Sequence, residues 1–237
     1  MATFNPNDPN VALLEVVAAH LGEQLRGQLV FVGGAIAGTL ITDPGTPAIR
    51  ATEDVDLVAQ VMARADYYQL EQALRRQGFA QDMRPNAPIC RWTINRVTVD
   101  VMPTLDAVLG FSNRWYPLAV QTAWELTLPS GTVIRAVTAP VFVATKLEAF
   151  EGRGGGDYLF SHDLGDVITV IDGRESFLRD VEQAPLDLRQ YLAQRFSTLL
   201  GTRAFIDSLP GHLPGDAASQ DRLPDLQAKL EQLAQRK

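Results

Sequence analysis

"RATEDVDLVAQV", residues 50–61, sets two carboxylates, Asp54 and Asp56, two positions apart in a run that otherwise has the composition of a buried strand. Val55 stands between them, and Leu57, Val58 and Val61 follow. Alternate residues of a strand share a face, so the two acids project together, about 6.6 Å apart by the rise per residue. A buried, unpaired carboxylate costs several kcal/mol, so this segment demands compensating charge.

A third acid is available downstream. In "RVTVDVMP", residues 96–103, Val97, Val99 and Val101 line one face of a strand and Thr98, Asp100 and Met102 the other. If this strand lies beside the first, Asp54, Asp56 and Asp100 converge. Such a cluster repels itself unless cations enter it. Mg²⁺ suits it, because that ion prefers hard oxygen ligands and completes its shell with waters and substrate phosphates. Two such ions about 3.5–4 Å apart can activate an attacking oxygen and stabilise a leaving pyrophosphate. Upstream, "FVGGA", residues 31–35, ends a strand in Gly33-Gly34 and enters a helix. Glycines there let backbone N–H groups approach an anion closely.

The remaining pattern divides the chain. "NVALLEVVAAHLGEQL" has apolar residues at helical spacing, and "QLVFVGG" is a short apolar strand. "AIAGTLI" reads as a helix leaving the glycine turn, and "TDPGTP" as a loop. "RADYYQLEQALRRQGF" is a helix stopped at Gly78. "PICRWTI" and "VTVDVMP" form a hairpin around Asn95-Arg96, and "AWELTLPSGTVIRAV" forms a second one turning at Pro129-Ser130-Gly131. From residue 138 the character becomes helical, with Thr138 as N-cap and Pro140 in the first turn of "TAPVFVATKLEAFEGR". "LPGHLPGDAASQDRLP" reads as a linker before a last charged helix. The expectation is an α/β unit over residues 1–137, a mixed sheet flanked by helices, followed by a helical region over 138–237.

Composition narrows the function classes. The 237 residues, 46% hydrophobic and 21% charged, describe an ordinary globular protein. No apolar run reaches the ~20 residues of a membrane span, and the first residues lack a secretory pattern, so a cytoplasmic location is expected. One cysteine, Cys90, excludes internal disulfides and thiolate zinc sites, and three dispersed histidines argue against an imidazole site. A net charge of −7 argues against coating nucleic acid by bulk electrostatics. Arginines number 18 against 3 lysines, and Lys146 is the only lysine before Lys229.

Taken together, a hydrophobic strand, Gly-Gly, a helix, Asp-h-Asp-h and a later strand Asp resemble the nucleotidyltransferase fold of the polymerase-beta superfamily. Arg50, Thr52, Asp54 and Asp56 are similar to the R-x-T-x-D-h-D form of AbiEii/AbiGii-type toxin nucleotidyltransferases. That family also carries a lysine-bearing helix, an arginine and a D-x-x-D helix. Lys146 and Arg153 in "KLEAFEGR", with Asp163 and Asp166 in "SHDLGDVITVI", match them. The resemblance spans roughly residues 28–172. It implies that Asp54 and Asp56 bind Mg²⁺, and that Asp100 is a third ligand or the base for the acceptor hydroxyl. It also implies that Gly33 and Gly34 cradle the nucleotide phosphates, near Arg50 and Thr52, while Lys146, helped by Arg153, neutralises them. Asp163 or Asp166 would orient Lys146 or complete the catalytic set. The chain departs from the pattern at Ala35, where Ser or Thr is common, at His162, where Lys or Arg is common, and in its long Gly34–Asp54 interval.

Each residue also has a plainer role. Asp100 can pair with Arg91 or Arg96 across its hairpin. Lys146 can be the exposed face of a helix, and Asp163 and Asp166 ordinary helix N-terminal acids. Arg50 and Thr52 can fix the loop before the strand. The resemblance implies an NTP substrate, an acceptor such as a tRNA 3′ end or a protein, and a separate antitoxin partner. Arg75, Arg76, Arg84, Arg91 and Arg96 could form a phosphate track, or simply a solvated surface. Two other classes stay open: a small-molecule, antibiotic-modifying nucleotidyltransferase, and a non-catalytic regulatory protein of the same fold.

Overall fold

The computed structural model describes residue 5 and residues 8–47, 49–153 and 156–235. The chain divides into two compact units, one built from Asn5–Gly38 and Arg50–Thr138, the other containing Thr39–Ile49 and Ala139–Lys237.

The first unit opens with α1 (Pro9–Gln28), capped by Asp8 and interrupted at Gly22, whose φ of 67° breaks the helical path. There follow β1 (Leu29–Val32), a single turn α2 (Gly33–Ile36), β2 (Asp54–Ala59) and α3 (Arg64–Arg76). Next come β3 (Ala80–Gln81), β4 (Arg91–Ile94), β5 (Val97–Pro103), α4 (Asp106–Leu109), α5 (Tyr116–Gln121), β6 (Trp124–Thr127) and β7 (Val133–Ala136). The seven strands form one mixed sheet in the order β3-β4-β5-β2-β1-β7-β6. β2 runs parallel to β5 and antiparallel to β1, while β1 runs parallel to β7. All four residues of β1 are buried, as expected of a central strand covered on both faces. Leu14, Val17 and Leu21 of α1 and Phe31, Leu57, Trp92, Val99 and Val101 of the sheet form the core, each fully shielded from solvent.

Both hairpins form at the expected turns. Asn95 and Arg96 have φ of 47° and 69°, the paired left-handed conformation of a two-residue turn whose twist matches the strands. At α3, the carboxylate of Asp66 accepts from the N–H groups of Met62 and Ala63, both at 3.0 Å, and so anchors the helix start.

The second unit contains α6 (Ala139–Arg153), α7 (His162–Gly173), α8 (Phe177–Glu182), α9 (Leu186–Leu200), α10 (Arg203–Ser208), α11 (Ala217–Gln220) and α12 (Leu223–Gln235). Phe142, Leu147, Val167, Ile168, Leu192, Phe196, Leu226 and Leu230 fill its core. The segment Thr39–Ile49 belongs here. The N–H groups of Thr42 and Asp43 donate to the Gly173 carbonyl at 3.0 and 2.9 Å. Arg222 bridges Asp43 and Asp172, at 2.7 Å each.

Two expectations need correction. "AIAGTLI" is not a sustained helix: α2 ends at Ile36, a 3-10 turn covers Ala37–Leu40, and the chain then leaves the first unit at Gly38. "LPGHLPGDAASQDRLP" is not an open linker, since it holds a 3-10 turn at Leu209–His212 and α11, with Leu209 and Leu213 buried. The Gln220 amide closes this loop by donating to the carbonyls of Pro210, Leu213 and Pro214, at 3.0, 3.2 and 2.9 Å.

Candidate active site

The register of the sheet places the acids. Asp56 on β2 is aligned with Asp100 on β5, Asp100 with Arg91 on β4, and Asp56 with Val32 on β1. One rung across four strands therefore reads Arg91, Asp100, Asp56, Val32, and the residue after Val32 is Gly33. Asp54 lies two positions before Asp56 and shares its face. One carboxylate oxygen from each of Asp54, Asp56 and Asp100 lies within 4.8 Å of the other two.

The donor set fits a divalent cation. Mg²⁺ binds oxygen at about 2.1 Å, so opposite ligands lie about 4.2 Å apart, within a small side-chain rotation of the observed spacing. Asp54 and Asp56 are half-buried and Asp100 is 8% exposed. Asp100 has the Arg91 guanidinium directly against it. The Arg91 guanidinium donates through Nε to Oδ1 at 2.8 Å and through NH2 to Oδ2 at 2.7 Å, a planar two-point pair. The Asp100 carboxylate holds the Arg91 guanidinium above even its high ordinary value. Beside it, burial pushes the Cys90 thiol up to about 12, with the negative charge of Asp100 adding to the effect.

Gly33 is fixed by two independent demands. Its φ is 68°, in the left-handed region, and a Cβ there would sit 1.7 Å from Oδ2 of Asp56. The absence of a side chain is what lets the Asp56 carboxylate lie against this turn. Gly34 is buried in α2, which at one turn is too short to present a helix dipole of ordinary strength.

The loop before β2 is held from an unexpected place. Asn10, fully buried at the start of α1, donates its amide N–H to the Arg50 carbonyl at 3.0 Å and accepts from the Thr52 N–H at 2.9 Å. Thr52 in turn donates its hydroxyl to Oδ1 of Asp54 at 2.7 Å. Arg50 is exposed, its guanidinium donating to the Ala51 carbonyl at 3.2 Å. Asn10 went unseen in the sequence, although it falls on the apolar face with Leu14 and Val17, where a buried amide needs partners.

In the helical unit, Lys146 of α6 lies between two acids of α7. Its Nζ is 3.1 Å from Oδ1 of Asp163 and 2.7 Å from Oδ2 of Asp166, with all three side chains nearly buried. Arg153, largely exposed, reaches Oδ2 of Asp163 at 2.9 Å. Ser161 caps α7 by accepting from the Leu164 N–H, and His162 is the first helical residue.

Three of the five arginines considered as a phosphate track are engaged. Arg84 grips Asp82, Arg91 grips Asp100, and Arg75 donates to Gln81 at 3.1 Å while lying 3.8 Å from Glu71. No helix among the described residues is long and apolar enough to cross a membrane.

No known protein-family description matches the sequence, and no curated protein matches it. Among solved structures the chain is similar to the antibiotic-resistance factor ANT(2'')-Ia, at 15% identity and a TM-score of 0.47. That similarity covers 81% of this chain and 95% of the other.

Proposed function

We propose that the protein is a divalent-metal-dependent nucleotidyltransferase that moves an NMP from an NTP to an acceptor and releases pyrophosphate. The observation that carries the proposal is the convergence of Asp54, Asp56 and Asp100 beside the side-chain-free turn at Gly33. The all-oxygen donor set favours Mg²⁺, which when bound screens the phosphates and polarises the attacking oxygen. Asp54 and Asp56 are its ligands. Asp100 is a third ligand or takes the proton of the acceptor hydroxyl. The backbone at Gly33 and Gly34 approaches the phosphates, with Arg50 and Thr52 on the loop that leads into β2. Lys146, oriented by Asp163 and Asp166, and Arg153 are the cations assigned to phosphate neutralisation.

The acceptor we favour is a tRNA 3′ end or a protein, in a toxin held in check by a separate antitoxin. Its support is the R-x-T-x-D-h-D run, in which Thr52 braces Asp54, together with the lysine clasped by a D-x-x-D pair. A second reading, transfer to a small cationic acceptor such as an aminoglycoside, is favoured by the net charge of −7 and by the prior engagement of Arg75, Arg84 and Arg91.

One experiment separates these. The protein is incubated with Mg²⁺ and each labelled NTP, offering tRNA, protein extract or aminoglycoside as acceptor, beside Asp54→Ala. Transfer to one acceptor class, abolished by Asp54→Ala, supports the proposal and identifies the acceptor. Transfer that survives Asp54→Ala refutes the mechanism. Absence of both transfer and NTP binding refutes the enzyme and supports a regulatory protein, a role with which Ala35, lacking a hydroxyl at the glycine turn, is compatible.

A further inference from the structure

We infer that Phe160 is a stacking platform for the base of the NTP whose phosphates Lys146 and Arg153 neutralise. The inference rests on the phosphate-binding role proposed for those two cations. It adds the residue that takes the other end of the nucleotide.

The ring is held outward by an anchored loop. Phe160 is 76% exposed, yet its neighbours are fixed. The Tyr158 ring lies 5.6 Å from Phe150 and 6.3 Å from Phe205, and the Tyr158 carbonyl is 2.7 Å from Nε2 of His212. Leu159 lies against Gly211. The Phe160 N–H donates to Oδ1 of Asp157 at 2.9 Å. A ligand that covers this ring therefore meets a backbone already in place, and little further ordering opposes binding. The local sequence explains why the ring does not fold back. Ser161 is the N-cap of α7, so Phe160 occupies the position that often packs on the fourth residue of the helix. That residue is Gly165, which offers no side chain to pack on.

The surroundings select the ligand. Three residues beyond Phe160, Asp163 engages Nζ of Lys146 at 3.1 Å and NH2 of Arg153 at 2.9 Å. Three residues separate Cα atoms by at most about 11 Å, a gap that a nucleoside triphosphate bridges. The Arg153 side chain is 74% exposed, and a guanidinium has five N–H donors, so it can engage Asp163 and a phosphate together. An exposed π face beside these cations matches a ligand with a flat base at one end and phosphates at the other. Every nucleobase has such a face, so the stack sets affinity rather than choice among NTPs.

The test is calorimetric binding, to the full chain with Mg²⁺, of each of the four NTPs, of inorganic tripolyphosphate and of a short single-stranded RNA. Tripolyphosphate carries the charge and no base. Phe160→Ala is expected to weaken all four NTPs about tenfold, the size of one base–aromatic stack, and to leave tripolyphosphate unchanged. Phe160→Leu, apolar but without a π face, should be as weak, and Phe160→Trp at least as tight as wild type. Arg153→Gln should weaken NTPs and tripolyphosphate alike. In Phe160→Trp the added indole emission should be quenched by NTPs and not by tripolyphosphate, with wild type and its three tryptophans as the baseline. Circular dichroism on each variant establishes folding. The inference is overturned if folded Phe160→Ala binds NTPs as wild type does, loses tripolyphosphate in equal measure, or is weakened toward RNA alone. If wild type binds no NTP, the proposed function fails and the inference with it. If NTPs bind and Arg153→Gln weakens them while residue 160 is without effect, only the role of Phe160 fails.

Discussion

Thr52 donates its hydroxyl to Asp54 at 2.7 Å, and its own N–H is held by the buried side chain of Asn10 at 2.9 Å. A residue on the first helix thus fixes the orientation of a carboxylate on the second strand, through one intermediate. Partners that orient a metal ligand typically change metal affinity about 10–100-fold when removed. Thr52→Val should weaken Mn²⁺ binding by about tenfold at the low end of that range, and Thr52→Ser should restore it. Asn10→Ala should do the same and also destabilise the fold by about 1 kcal/mol, because two partly buried backbone groups lose their partner. Calorimetric Mn²⁺ binding set beside urea denaturation checks both, and unchanged affinity in a folded Thr52→Val would remove Thr52 from the site.

Gly33→Ala should be far more damaging than an alanine elsewhere in a turn. The left-handed conformation alone costs an alanine about 1–2 kcal/mol. The added Cβ would also lie 1.7 Å from the Asp56 oxygen, so that carboxylate must move. We expect loss of cation binding together with lower stability. Gly110→Ala, at φ 84° with nothing near the added atom, should show the conformational penalty alone.

Lys146→Met leaves Asp163 and Asp166 facing each other without the ammonium between them. Breaking a nearly buried ion pair on one side costs about 3–5 kcal/mol. Thermal unfolding should report a large drop for Lys146→Met and a partial one for Lys146→Arg. Arg153→Met, at a side chain 74% exposed, should be nearly neutral for stability.

His212 gives a pH dependence. Its Nε2 lies 2.7 Å from the Tyr158 carbonyl, and burial lowers its pKa in the folded protein. The unfolded chain therefore binds the proton more readily, so stability is fully present above the ordinary imidazole value of about 6.5 and declines as the pH falls below it. Urea unfolding between pH 7.5 and 5.5 should show this slope in wild type and a shallower one in His212→Gln. Equal slopes would assign the effect to the carboxylates.

Cys90 should be inert in the native state, since its thiol is buried and pushed up to about 12. Alkylation at pH 8 should follow global unfolding rather than precede it, and mass spectrometry during denaturant titration would reveal any earlier labelling.

Much of this architecture was legible from alternation. The acids of β2, the valine face of β5 and the two hairpin turns each carry a period-two pattern or a turn pair, so the convergence of Asp54, Asp56 and Asp100 followed once the two strands were neighbours. Arg91 was nameable as a partner of Asp100 because the hairpin fixes their distance. The two-residue β3 was invisible because it is too short for any period. Asn10 was hidden for another reason: its partners, Arg50 and Thr52, lie 40 and 42 residues away and meet it only through tertiary packing. The polar, proline-bearing stretch after Ile41 was readable as a loop. That it packs against Gly173 and Arg222 was not, since nothing local encodes those partners.

That stretch has a consequence for how the molecule is made. Asp43 finds its arginine 179 residues further along, so on a translating ribosome it waits for all of that intervening stretch to emerge. A gene fragment ending at residue 138 would encode every strand of the sheet yet still contain an insert whose anchors were never synthesised. Dissecting this protein therefore calls for replacing Thr39–Ile49 with a short splice rather than simply cutting between the halves.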